Sequence, residues 1–212
     1  MSKYVVLDLE MCKVPEGETR QIFKSARELI QIGAVELDEH YNISRTFQSY
    51  VKPEFGAVDE YIQNLTGITS NDVADAPTAD VALRAFMQWL DRDAVLVTWS
   101  EHDVGQIDKE LYYKDIDLPD MFDYLDNYID CQYLFGEKLH ASKLYKLSEA
   151  LAIADIEYEL GMHDAMVDAI NTARLFSKLQ NHDRSAFSPY FMTEEEARYS
   201  IYNSFAARRL AV

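Results

Sequence analysis

Residues 3–10 read KYVVLDLE, a run of strand-forming apolar residues with two carboxylates, Asp8 and Glu10, set two positions apart. Strand side chains alternate between faces, so these acids project from the same side. A strand this apolar belongs in the middle of a sheet. Two acids side by side there repel each other and lose hydration, and the arrangement calls for a cation. The stretch thus constrains fold and chemistry together.

The rest of the chain supplies such a sheet. Runs and alternations at residues 29–37 (LIQIGAVEL), 45–51 (RTFQSYV) and 94–99 (AVLVTW) predict three more strands, with a short fifth expected near Ile129. Helical patterns occupy TADVALRAFMQWLD, with Thr78 as its cap, then SKLYKLSEALAIA, then the segment after His163. In that last segment Ala165, Ala169, Thr172 and Phe176 form one apolar stripe. Three early strands on short connections, then strands alternating with helices, predict an α/β fold with a mixed five-stranded sheet flanked by helices. DIDLPDMFDYLDNYID reads as a solvated amphipathic helix or loop, without the tight Asp/Asn/Gly cadence of a calcium loop.

A chain of 212 residues buries one sizeable core. Residues 1–182 are expected to form that domain and 183–212 a C-terminal helical extension. Thr193 and Glu196 make a capping-box pattern ahead of ARYSIYNSFAARRL, whose aromatics are expected to cover either the domain's own core or a second subunit in a homodimer. The early run YVVL is strand-sized and no long apolar segment follows, so neither a signal peptide nor a membrane span is expected. That expectation argues for the cytoplasm; Cys12 and Cys131 are too few and too scattered for a disulfide framework or a zinc site and are expected as two reduced thiols.

With 37 acidic and 20 basic residues the formal net charge is −17, which argues against an electrostatic grip on long nucleic acid. Cations, a basic partner, or a nucleic acid end held through bound metals remain compatible. Two further acids bear on that choice. Asp103 follows VLVTW by four residues, where the chain leaves a strand for the helix DVGQIDKELYY, and strand ends are where open sheets build their sites. Asp108, a turn further on, reads as solvated. Asp168 falls on the apolar stripe of the last helix. Each unpaired buried ion costs several kcal/mol, so four would rival a domain stability of about 5–15 kcal/mol. Two hard divalent cations, Mg²⁺ or Mn²⁺, would neutralise Asp8, Glu10, Asp103 and Asp168.

With these residues in place, the sequence resembles the DEDDh 3′-to-5′ exonucleases, the superfamily of RNase T and the replicase proofreading subunit. LDLEM is similar to the first motif, TWSEHDVGQI to the second, and HDAMVDA to the third, His-x-Ala-x-x-Asp-Ala, with His163 and Asp168. A sister branch carries tyrosine where this chain has Asp164, so the histidine branch is the match. ELIQIGAVELD, RTFQSYVKPE and NLTGIT are similar to the family's second strand, third strand and base-contacting loop. Together they are most similar to the exoribonuclease branch that trims histone mRNA and small-RNA ends.

The resemblance implies a ribonuclease H-like fold and stepwise release of nucleoside 5′-monophosphates from single-stranded RNA or DNA 3′ ends, RNA favoured. It implies Asp8, Glu10, Asp103 and Asp168 as ligands of two Mg²⁺ or Mn²⁺ ions, with Asp8 bridging, and His163 as general base. Met11, Leu65, Thr66 and Gly67 would grip the terminal nucleotide. Two positions depart from the family pattern: His102 replaces an aromatic or apolar residue, and Met11 a small or hydroxylated one. Lys13, Arg20, Lys24 and Arg27, expected between the first two strands, read as phosphate contacts or as solvated surface. The alternative is a regulatory, protein-binding member of the same fold with little catalytic activity.

Overall fold

In the computed structural model, which describes residues 3–141, 143–159, 161, 163–182 and 186–187, the strand carrying Asp8 and Glu10 is central. Strands β1 (Tyr4–Lys13), β2 (Arg27–Leu37), β3 (Ile43–Tyr50), β4 (Val95–Thr98) and β5 (Ile129–Asp130) form one sheet in the order β3-β2-β1-β4-β5. The β1–β2 and β2–β3 pairs are antiparallel, and β1–β4 and β4–β5 parallel, so the sheet is mixed as expected. The helices are α1 (Glu18–Ile22), α2 (Glu60–Thr66), α3 (Ser70–Ala74), α4 (Ala79–Trp89), α5 (Glu101–Tyr113), α6 (Asp120–Asp126), α7 (Cys131–Leu139), α8 (Leu147–Ile153) and α9 (Ala165–Asn181).

Alternation along β1 divides the core. Val5, Leu7 and Leu9 pack with α4, α5 and α6 through Phe86, Ile107 and Met121. Val6, on the opposite face, packs with α7, α8 and α9 through Phe135, Leu151 and Phe176. A smaller cluster joins Cys12 and Ile30 to Ile62 of α2 and Val73 of α3. The acidic segment before β5 contributes to the first cluster: α6 buries Met121 and Leu125 and exposes its acids.

Beyond Glu10 the structure departs from the sequence reading. Glu10 pairs with Gln31 and Met11 with Leu29, so Ile30 is an extra residue on β2, a bulge beside the acids. Past it β1 runs three residues further than expected, ending with Lys13 opposite Arg27. The stretch NLTGIT, expected as a loop, is the last turn of α2 with Gly67 as its left-handed cap, φ +75°. Among the described residues of SKLYKLSEALAIA, Leu147–Ile153 alone is helical. Thr78 stands at the N-cap of α4, but its side chain makes no capping bond. The Thr193–Glu196 capping pattern lies outside the described residues. Among the described residues no helix is long and apolar enough to cross a membrane.

One glycine sets the distance between α9 and the sheet. Gly33 lies opposite Asp8, and a Cβ there would meet the Ala165 carbonyl carbon at 2.3 Å and the Met166 nitrogen at 2.4 Å. Backbone on both sides leaves no side chain to yield. Gly33→Ala is expected to lift the start of α9 and destabilise the fold by at least about 1–3 kcal/mol, read as a lower melting temperature. An unchanged melting temperature would mean the helix start shifts freely.

Candidate active site

The acids meet at one end of the sheet because β1 is clasped between two helix N-termini. Asp8 and Glu10 point to the α9 face. Asp103 arrives in the first turn of α5, whose N-cap is Ser100; the helix begins at Glu101, two residues earlier than the sequence suggested. Asp168 arrives in the first turn of α9 from the opposite face. Negative charge is stabilised by a helix N-terminus, which favours both positions. Glu10, Asp103 and Asp168 are 8%, 6% and 8% exposed, and Asp8 is partly buried.

The start of α9 is held tightly. Asp164, its N-cap, accepts hydrogen bonds from the Met166 and Val167 backbone N–H groups at 2.9 and 3.1 Å. Gln31, fully buried opposite Glu10, donates to Asp164 Oδ2 at 3.1 Å and accepts from the Ala165 N–H at 3.0 Å. The Tyr158 hydroxyl donates to Asp168 Oδ1, and the His163 backbone N–H donates to Asp168 Oδ2 at 3.1 Å. His163 itself is exposed and has φ +64°, a strained left-handed conformation for a residue with a Cβ.

Among the described residues none of Asp8, Glu10, Asp103 and Asp168 has a basic ion-pair partner within 4.0 Å. Burial, followed by repulsion from Asp103, Asp168 and Glu10, pushes the Asp8 carboxyl well above the usual range. Glu10 is pushed up to about 8, again by burial and then by Asp168 and Asp103. Burial lifts Asp103 to about 7 against the pull of backbone N–H groups at Leu9 and Asp103 itself. Asp168 is raised by burial, opposed by Tyr158 and His163.

This donor set suits a hard cation: four carboxylates with no basic side chain in ion-pair contact among the described residues. Ligand atoms of Glu10, His163 and Asp168 lie within 4.8 Å of one another. Asp8 and Asp103 adjoin them in a cleft of about 410 Å³ that is also lined by Met11, Lys13, Arg27, Tyr61, Leu65, Trp99 and His102.

The four residues expected to grip a nucleotide separate here. Met11 and Leu65 line the cleft. Thr66 is buried, its hydroxyl donating to the Ile62 carbonyl at 2.9 Å and accepting from the Ile68 N–H at 3.0 Å; Gly67 caps the same turn. Gln31, Tyr158 and the capping role of Asp164 escaped the sequence reading, because each acts through a contact that strand or helix periodicity does not encode.

The raised carboxyls fix a pH dependence. Folded values of about 8 and 7 stand against ordinary values of 4.5 and 3.8. The resulting stability is fully present below about pH 4 and is lost as pH rises through 7 to 8. Metal-free protein should therefore lose stability over that window, and Glu10→Gln should flatten the loss. At pH 8, Mn²⁺ at about a hundredfold its Kd should restore about 2.7 kcal/mol, or about 5–10 °C in melting temperature. Melting curves unaffected by Mn²⁺ at pH 8 would refute the cation reading.

Comparison with known proteins places this geometry in context. Residues 5–176 match the RNase T exonuclease family. ERI1 exoribonuclease 2 of Danio rerio is 31% identical over 185 residues, covering 76% of this chain and 32% of the relative. DNA polymerase III subunit epsilon of Buchnera aphidicola is 25% identical over 193 residues, covering 87% and 75%. This chain thus spans about a third of the first of these relatives. Among solved structures, the nuclease domain of 3′hExo, a DEDDh family member bound to rAMP, superposes with a TM-score of 0.72 at 22% identity, covering 86% of this chain and 94% of that one. The ribonuclease H-like fold expected from the motifs is the fold observed.

Proposed function

This chain belongs to the RNase T exonuclease family, and on that premise we propose that it is a 3′-to-5′ exonuclease acting on single-stranded nucleic acid ends. The observation that carries the reading is the convergence of Asp8, Glu10, Asp103 and Asp168, with no ion-pair partner among the described residues, beside an exposed His163 at the end of the sheet.

Asp8, Glu10, Asp103 and Asp168 would hold two Mg²⁺ or Mn²⁺ ions. When bound, these supply Lewis-acid polarisation of the phosphodiester and a lowered pKa for water. His163, at the mouth of the cleft, accepts the proton of the attacking water as general base. Attack at phosphorus breaks the bond to the 3′ oxygen of the preceding nucleotide, and the products are a nucleoside 5′-monophosphate and a chain one residue shorter. Tyr158 and the His163 N–H fix the rotamer of Asp168, and Gln31 fixes the helix that carries it. Met11 and Leu65 supply apolar contact for the terminal base; Thr66 and Gly67 act by shaping the turn that presents Leu65.

RNA is the favoured polymer, in keeping with the name of the Danio rerio relative. Two buried free thiols, Cys12 and Cys131, accord with a reducing, cytoplasmic setting. The expected division into a 1–182 domain and a 183–212 extension falls largely outside the described residues; sedimentation of the chain with and without residues 183–212 tests a homodimer.

His163→Ala is expected to lower kcat on a single-stranded RNA by about 10²–10⁴-fold, the usual contribution of a general base, while Mn²⁺ still raises the melting temperature. Chromatography of the wild-type products should give 5′-monophosphates. Nucleoside 3′-monophosphates, or a His163→Ala enzyme as fast as wild type, would overturn this assignment.

A further inference from the structure

A second groove opens from the acidic cleft, and its charge is of the opposite sign. It measures about 440 Å³ and shares Met11, Arg27 and His102 with the cleft; Gln106 and Lys109 of α5 and Glu101 line it further out. The Gln106 side chain donates to the Arg27 carbonyl at 3.0 Å, fixing the helix against the start of β2.

The cations here are uncommitted. Arg27, Lys13 and Lys109 form no ion pair among the described residues, although the chain carries 37 acids and Glu101 stands in the same groove. Lys13 and Arg27 also face each other across the last rung of the β1–β2 ladder. Like charges placed opposite each other destabilise a strand pair, so a Lys13–Arg27 pair beside the cleft points to an anion that joins them. Lys13 lies over the Tyr61 ring, 4.3 Å from its centroid, and that contact leaves its charge unneutralised.

We propose that this groove binds the phosphodiester backbone on the 5′ side of the nucleotide being removed, with Arg27 contacting the phosphate nearest the cleft and Lys109 one farther along. The proposal rests on the exonuclease reading of the cleft. Lys109 is six residues beyond Asp103 on α5, a rise of about 9 Å, so the contacts extend past a single nucleotide. The net charge of −17 disfavours a longer electrostatic grip, so the contact is confined to the strand's last few nucleotides.

Arg27→Gln and Lys109→Gln test this. Both side chains are exposed and unpaired, so neither replacement strands a folded-state partner. Fluorescence anisotropy with a 5′-labelled single-stranded decanucleotide and with a dinucleotide, in Ca²⁺, gives affinities independent of turnover. Each variant should weaken decanucleotide binding at least fivefold more than dinucleotide binding. Each should also reduce the slope of log affinity against log salt by about 0.7. A loss equal on both ligands, or an unchanged slope, would overturn the groove. Wild-type hydrolysis in Mn²⁺, measured alongside, separates the two claims. Cleavage with groove-independent binding removes only the groove; groove-dependent binding without cleavage removes the exonuclease reading; neither binding nor cleavage removes both.

Discussion

Asp8→Asn is expected to abolish hydrolysis and, at the same time, to stabilise the metal-free protein. The first effect follows from removing one of four oxygen donors at the centre of the cleft. A loss on the order of 10³-fold in kcat/KM corresponds to about 4 kcal/mol of transition-state stabilisation. The second follows from the electrostatics. Asp8 resists ionisation because of burial and repulsion from Asp103, Asp168 and Glu10, so the neutral amide removes the cost of charging this position as pH rises. Melting curves in a chelator should show the variant above the wild type, and Mn²⁺ should narrow or reverse the difference. A purely structural Asp8, paired within the fold, would behave in the opposite way and lower the melting temperature when replaced.

Lys114→Met is expected to have the largest effect on stability. Lys114 closes α5 and is buried, its side chain 4% exposed, 2.7 Å from Glu28 and 2.9 Å from Glu110, both of which are fully buried. Glu28 accepts backbone N–H bonds from Glu54, Phe55 and Gly56, and Glu110 accepts one from Leu29 at 2.8 Å. One cation thus ties the end of α5 to β2 and to the loop after β3. Replacing it leaves two buried carboxylates with a single charge-compensating partner removed, a cost of about 3–5 kcal/mol. For a chain of this size that is about 6–20 °C in melting temperature. Adding Glu110→Gln to Lys114→Met should recover part of the loss, because the stranded charge, rather than the lost packing, dominates. A single variant melting within about 2 °C of wild type would contradict this.

The division of labour between sequence and structure follows from what periodicity encodes. Asp8 and Glu10 were legible because a two-residue spacing in a strand fixes a common face, and Asp168 because it interrupts a helical stripe whose members Ala165, Ala169, Thr172 and Phe176 are all buried. The central place of β1 and the mixed pairing were likewise within reach of the pattern. Contacts between distant segments were not. Gln31 reaches Asp164, and Glu28 reaches Lys114, through pairings that only the folded sheet creates. The extension of β1 to Lys13 was hidden for a related reason. The extra Ile30 on β2 breaks the alternation there, and the residues beyond it read as a connection although they pair with Glu28 and Arg27. That hidden rung is what sets Lys13 against Arg27 at the mouth of the cleft.

The most direct test of the proposed hydrolytic centre is incubation of single-stranded RNA and DNA oligonucleotides, labelled at the 5′ end in one set and at the 3′ end in another, with wild type and Asp8→Asn in Mn²⁺. A two-metal 3′-to-5′ exonuclease gives a ladder of progressively shorter 5′-labelled products, immediate release of labelled mononucleotide from the 3′ end, and loss of both in the variant. Internal cuts, release from the 5′ end, or equal activity in wild type and variant would contradict it.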